Sequence, residues 1–185
     1  MDKRLRQDLL DARQQAERLY SEADIETAIR HMARDITAAV SRNNPLFLCV
    51  LNGGVMPFAE LLKYLDFPLQ CDYVHATRYG EKLAGETLRW LAQPATAVEG
   101  RTVVIVDDIL DEGITLAAIE TALAQQGAAQ ILTAVLVQKQ LATPPATTAD
   151  FVGLTVPDRY VFGYGMDYKG YWRNLPGIYA VREDS

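Results

Sequence analysis

Cysteine and histidine are scarce in this chain of 185 residues, with two of each. Cys49 and Cys71 both fall in apolar, strand-like stretches, where small buried side chains explain them better than a disulfide or a metal pair. Neither His31 nor His75 stands at metal-ligand spacing from the other or from the cysteines. Apolar runs of membrane-spanning length are lacking, and Met1-Asp2-Lys3-Arg4 leads into mixed polar residues rather than the apolar core of a signal peptide. A cytoplasmic protein with no membrane partner is expected. No Walker lysine motif is present, which excludes P-loop chemistry. No internal repeat appears, and no Pro/Gly/Ser-rich linker divides the sequence. Positive charge is also in deficit, with 18 Lys and Arg against 24 Asp and Glu for a net charge of -6. That field argues against nonspecific nucleic-acid binding.

What the chain has is apolar content, at 49%. This fits one domain over 1–185, with room for a small appended subdomain but not for a second full core. Apolar residues recur at helical spacing from Leu5 to about Ser21 and from Ile25 to about Arg42, with Ser21 or Asp24 available as a cap. Pro45 to Leu51 reads as a buried strand entering a glycine turn, followed by a helix from about Pro57 to Leu65. A strand from Leu69 to Thr77 precedes a polar, glycine-bearing stretch, Gly80 to Thr87, read as a mobile loop. Leu88 to Leu91 is a short returning strand. Further on, a helix from Thr115 to Gln126 stops at Gly127, Ile131 to Val137 is a buried strand, and Leu141 to Ala149 is a loop. Phe151 to Leu154, Tyr160 to Phe162 and Ile178 to Val181 are short extended pieces.

The most informative segment runs from Val103 to Thr115. Four branched apolar residues without polar alternation suit a parallel strand covered on both faces. The strand delivers Asp107 and Asp108 where ligands of open α/β sheets collect. Gly113 permits close backbone approach, and Thr115 opens a helix whose amides and positive end suit a phosphate. The adjacent carboxylates suit hydroxyls or a metal ion. A buried strand with an acidic capping turn, or the aspartate cluster of some other α/β fold, would also read this way.

Two acids, two apolar residues, a third acid, then Gly and Thr resemble the ribose-phosphate signature of type I phosphoribosyltransferases. Outside that segment, the order of Leu51-Asn52-Gly53-Gly54, Lys139, Tyr160-Val161 and Asp167 to Arg173 narrows the resemblance to the hypoxanthine-guanine members. It runs from about Pro45 to Val181. It implies an α/β fold with a parallel-sheet core at about residues 45–140, helices on both faces, and a small hood made from the N-terminal helices and about residues 150–185. It also implies purine salvage, in which phosphoribosyl pyrophosphate, Mg²⁺ and hypoxanthine or guanine give IMP or GMP and pyrophosphate, in a homodimer or homotetramer.

By that resemblance, Asp107 and Asp108 hold the ribose hydroxyls and waters of one magnesium. Asp111, Glu112, Gly113, Ile114 and Thr115 wrap the 5′-phosphate. Asp111 handles the proton on purine N7, although a capping carboxylate alone would also place an Asp there. Lys139 donates to the purine O6, where the plainer reading is a solvated strand end. Tyr160 stacks on the base, unless it is a core aromatic. Val161 and Asp167 read the base edge, and Asp167 helps hold a second magnesium. Leu51, Asn52 and Gly53 offer backbone amides to pyrophosphate. Arg173 contacts pyrophosphate too, although an arginine beside Trp172 could also be a surface residue lying over an aromatic.

Three positions depart from the pattern. Asn52 stands where many relatives carry lysine. Glu112 replaces a small hydroxyl residue, so its carboxylate should point away from the phosphate. Ile114, often polar in relatives, is expected in the packing of its helix. Arg78 and Tyr79 either cover the transferring group when the following loop closes or simply end a strand. The rival functions are a phosphoribosyltransferase that prefers hypoxanthine or accepts xanthine, and a nucleotide-sensing regulator that binds RNA.

Overall fold

The computed structural model describes residues 1–79 and 87–182. Its centre is a six-stranded sheet of β2 (Leu46–Val50), β3 (Gln70–Tyr79), β4 (Thr87–Ala92), β5 (Thr102–Leu110), β6 (Gln130–Gln140) and β7 (Phe151–Pro157). The spatial order is β4-β3-β2-β5-β6-β7. All neighbours are parallel except the β3–β4 edge pair. The mostly parallel α/β core expected from the branched apolar strands is therefore present.

Successive residues of β5 face opposite sides of the sheet. Val104 and Val106 pack with Ile25, Ile29 and Ile36 of α2 (Glu22–Val40) and Leu61 of α3 (Val55–Leu62). Val103 and Ile105 meet Leu116, Ile119 and Leu123 of α4 (Ile114–Gln125) on the other side. Both faces of the strand are thus covered, which is why its sequence does not alternate. Helix α2 begins with a reciprocal cap: the Ser21 hydroxyl accepts from the Asp24 amide at 3.3 Å, and the Asp24 carboxylate accepts from the Ser21 amide at 2.9 Å. Both candidate caps take part.

A second, three-stranded antiparallel sheet joins β1 (Glu17–Tyr20), β9 (Ile178–Ala180) and β8 (Val161–Phe162) in the order β1-β9-β8. With α1 (Lys3–Gln15) it forms the hood. Three boundaries differ from expectation. The first helix stops at Gln15, and Glu17–Tyr20 is a strand because β9 supplies its hydrogen-bond partners. The segment from Phe151 pairs with β6 as an edge strand of the central sheet, so the hood starts after Pro157 rather than near residue 150. Helix α2 packs on β7 and β6 and belongs to the core.

The chain goes from β2 outward to β3 on one side, then crosses to β5 on the other. The gap between β2 and β5 is therefore the point where the strand order reverses, the usual ligand crevice of such sheets. Pairing of β2 to β5 ends at Cys49 and Val106, whereas β5 stays paired to β6 as far as Leu110 and Gln138. Asp107 and Asp108 lie in that half-open stretch. They are inside the strand, not beyond its end.

Candidate active site

Burial raises the pKa of Asp107 well above the ordinary carboxylate value, and the adjacent Asp108 carboxylate adds to the effect. Asp108 is raised too, chiefly by burial, with Arg173 pulling the other way. Backbone amides support both carboxylates: the Asp108 amide donates to Asp107 Oδ1 at 2.9 Å and the Ile109 amide to Asp108 Oδ1 at 2.8 Å. The pair is held in place as an excess of negative charge. A cation or a row of hydroxyl donors would relieve it. Burial, reinforced by the field of the two carboxylates, pushes the Cys49 thiol up to about 12, so this cysteine is an inert neighbour.

Next in the chain, Asp111 to Thr115 curls around a cavity of about 220 Å³ lined by residues 107–116. Gly113 has φ +74 and precedes α4, whose first turn has no side-chain cap. The open amides and the helix end make this cavity a fitting anion seat. A side chain at Gly113 would press on the backbone nitrogens of Ala146 and Thr147. The expected 141–149 loop is thereby explained: the Ala146 amide donates to the Glu112 carbonyl at 2.8 Å. Glu120 of α4 fixes the same loop by accepting from Thr147 and from buried Thr133, each at 2.7 Å. Glu112 is exposed. Ile114 is corrected: it is 39% exposed at the mouth of the cavity instead of packed in the helix.

The turn after β2 approaches from the opposite side. A Cβ on Gly53 would fall 1.8 Å from Asp108 Oδ2, and one on Gly54 would meet the Val50 and Val106 carbonyls within 2.8 Å. Glycine at both positions is a steric requirement of the crevice. The Leu51–Asn52 peptide is cis, and Asn52 is exposed.

A second cavity, about 430 Å³, is lined by Asp108, Ile109, Asp111, Lys139, Tyr160, Val161, Met166 and Asp167. Asp108, Ile109 and Asp111 line both cavities, which therefore adjoin in the crevice. Lys139, with a side chain only 13% exposed, lies 2.8 Å from Asp111 and 3.7 Å from Asp158. It is not a solvated strand end. Tyr160 is 52% exposed, with its ring edge-on to Tyr168 at 5.7 Å, so it is a platform rather than core. Its carbonyl accepts from the Val181 amide at 2.8 Å, which ties it to the hood.

Arg173 reaches into the crevice and is not a surface arginine over Trp172. It meets Asp167 Oδ1 at 2.5 Å, the Gly165 carbonyl at 2.6 Å, and Asp108 at 3.9 Å. The other Asp167 oxygen accepts from the Gly170 amide at 2.7 Å. Among the described residues no three His, Cys, Asp or Glu side chains converge into a metal cage. Asp107 and Asp108 stay apart from Asp167, with Arg173 between them. Arg78 and Tyr79 close β3 opposite Leu88 and Thr87. The loop expected at Gly80 to Thr87 lies, except for Thr87, outside the described residues. The sequence carries no separate signal for three further residues: Asp158 and the Gly165 carbonyl, which face Lys139 and Arg173, and Met166, which lines the second cavity itself.

The family model described as "Phosphoribosyl transferase domain" matches residues 15–169. A hypoxanthine-guanine-xanthine phosphoribosyltransferase of Tritrichomonas foetus is 34% identical over 166 residues, 89% of this chain and 91% of that protein. A hypoxanthine-guanine phosphoribosyltransferase of Bacillus subtilis is 33% identical over 89% of this chain and 92% of its own length. Among solved structures, a hypoxanthine phosphoribosyltransferase from Staphylococcus aureus matches with a TM-score of 0.84 at 27% identity, covering 90% of this chain and 91% of that one. A family model spanning most of the chain and relatives a third identical along nine-tenths of it agree, and the chain belongs to the phosphoribosyltransferase family, in its hypoxanthine-guanine branch.

Proposed function

We propose that this protein transfers the 5-phosphoribosyl group of phosphoribosyl pyrophosphate to hypoxanthine or guanine, forming IMP or GMP and pyrophosphate in purine salvage. The observation that carries the reading is that Asp108 and Asp111 border both the anion seat and the Lys139 cavity. A sugar phosphate in the first cavity and a planar base in the second would meet at these acids.

In the reaction the bond from the anomeric carbon to pyrophosphate breaks and the bond to the purine nitrogen forms. Positive charge grows on the ribose, beside Asp107 and Asp108, while negative charge grows on the leaving group, beside Arg173. Asp111 takes the purine proton, and its 2.8 Å contact with Lys139 keeps both groups at the base edge. Lys139 carries donors and no acceptor, so it satisfies an O6 and rejects an adenine amino group.

Mg²⁺ fits the raised, oxygen-only acid pair, and when bound it would neutralise the diphosphate. Asp107 and Asp108 would hold one ion through its waters. Asp167, which pairs with Arg173 and accepts from the Gly170 amide, would help hold a second.

Nucleotide formation from phosphoribosyl pyrophosphate, Mg²⁺ and each base in separate reactions tests this. Hypoxanthine and guanine should react, with adenine at least about 10⁴-fold slower because a buried donor would face a donor. Lys139→Met should damage use of both 6-oxopurines and leave phosphoribosyl pyrophosphate affinity nearly intact. Efficient adenine turnover, or full activity of the variant, would remove Lys139 from base reading. The relative from Tritrichomonas foetus is named for xanthine as well, and xanthine shares the O6 that Lys139 addresses, so it belongs among the bases assayed.

A further inference from the structure

Trp172 has φ +66, a left-handed conformation that is a genuine outlier for a bulky side chain. Lys169 at φ +51 and Gly170 at φ +83 precede it, so the turn leading to Arg173 is left-handed at three of its residues. Such backbone persists only where its surroundings over-determine it, and it gathers at ligand clamps.

The surroundings here are α1. The Trp172 indole Nε1 donates to the Leu9 carbonyl at 2.9 Å, and Lys169 reaches Asp8 at 2.9 Å. Leu9 is the buried residue of the helix, and Arg13 anchors the helix farther along by lying 4.1 Å over the Tyr179 ring and donating to its hydroxyl at 3.2 Å. On the site side, the Arg173 carbonyl accepts from the Gly165 amide at 2.9 Å while its guanidinium holds Asp167 and the Gly165 carbonyl. Arg173 is therefore set from both directions.

We propose that Trp172 is a positioning residue for the pyrophosphate end of the site, fixing the left-handed turn that aims Arg173 between Asp167 and Asp108. Helix α1 lines neither cavity of the crevice, yet through Leu9 it becomes part of the binding machinery. This rests on the reading of Arg173 as a pyrophosphate contact.

Calorimetry with excess Mg²⁺ separates the two ideas, using inorganic pyrophosphate and ribose 5-phosphate as probes on the parent, Trp172→Phe, Asp8→Ala and Arg173→Gln proteins. Trp172→Phe keeps an aromatic ring and removes only the indole donor. It should weaken pyrophosphate by roughly three- to tenfold, the scale of one hydrogen bond, and leave ribose 5-phosphate at parent affinity. Asp8→Ala cuts an exposed ion pair and should act in the same direction but more weakly. Parent pyrophosphate affinity in Trp172→Phe, beside a weakened Arg173→Gln, overturns the role of Trp172. Parent affinity in Arg173→Gln overturns the pyrophosphate assignment instead. Loss of both probes in Trp172→Phe, with Asp8→Ala unchanged, makes Trp172 a general structural residue and also overturns the proposal.

Discussion

At Asp107, burial and the neighbouring Asp108 carboxylate both favour the protonated acid, so the folded protein binds this proton more tightly than the unfolded chain does. The folded pKa is raised, so stability falls as pH climbs from the unfolded carboxylate value toward the folded one, and the full penalty remains above it. Asp107→Asn keeps the Oδ1 that accepts from the Asp108 amide and removes the charge. Its thermal midpoint should therefore exceed the parent's at pH 8, with the gap closing toward pH 4, while phosphoribosyl pyrophosphate affinity falls. A melting series across pH beside a binding isotherm checks both halves, and a variant less stable at pH 8 refutes the repulsion. Asp111 pairs with Lys139 instead of another acid, which predicts a different outcome. Asp111→Asn should lower kcat by roughly 10²-fold or more, the scale of a lost general acid or base, with substrate binding less affected. Single-turnover chemistry at the parent rate would reduce Asp111 to a capping residue.

Among the elements, the β2–α3 turn is bound tightly to the acid pair, because the Gly53 backbone lies against the Asp108 carboxylate. Gly53→Ala should displace that carboxylate and abolish phosphoribosyl pyrophosphate binding while the far edge of the sheet is untouched. Calorimetry together with amide exchange of β6 would show whether the damage stays local. The strands that carry chemistry were legible from sequence. Four branched residues before Asp107 define a doubly covered strand, and the Asp-Asp-x-x-Asp-x-Gly-x-Thr spacing defines the turn after it. Glu17–Tyr20 was not legible, since four residues at helical spacing become a strand only through a partner about 160 positions away. Phe151–Pro157 was assigned to the hood for a similar reason: its place depends on which edge of the sheet is open. The roles of Trp172 and Glu120 rest on single hydrogen bonds across elements, which leave no periodic trace in a sequence.

For the molecule as a whole, the crevice unites core and hood, so a ligand spanning it should resist unfolding of either. At about 100 times its dissociation constant, phosphoribosyl pyrophosphate with Mg²⁺ should add about 2.7 kcal/mol of stability. For a chain of this size that is a rise of roughly 5–11 °C in Tm, readable by scanning calorimetry. A smaller ligand confined to the anion seat, such as ribose 5-phosphate, should give a smaller rise at equal concentration because it binds more weakly, and the same rise at an equal multiple of its own Kd. Equal shifts at equal multiples of Kd check that mass action alone is at work.

The pairing of Glu17–Tyr20 with Ile178–Ala180 also has a meaning in time. A chain made from its amino end presents β5, the Gly113 turn and β6 ahead of Ile178, and domains begin to fold as they emerge. The anion seat can close on the ribosome, whereas Tyr160 is fixed only when the last strand arrives to hold it. Vectorial synthesis therefore supplies the parts of the crevice in a set order, and the side that carries Tyr160 is completed after the side that carries Asp107.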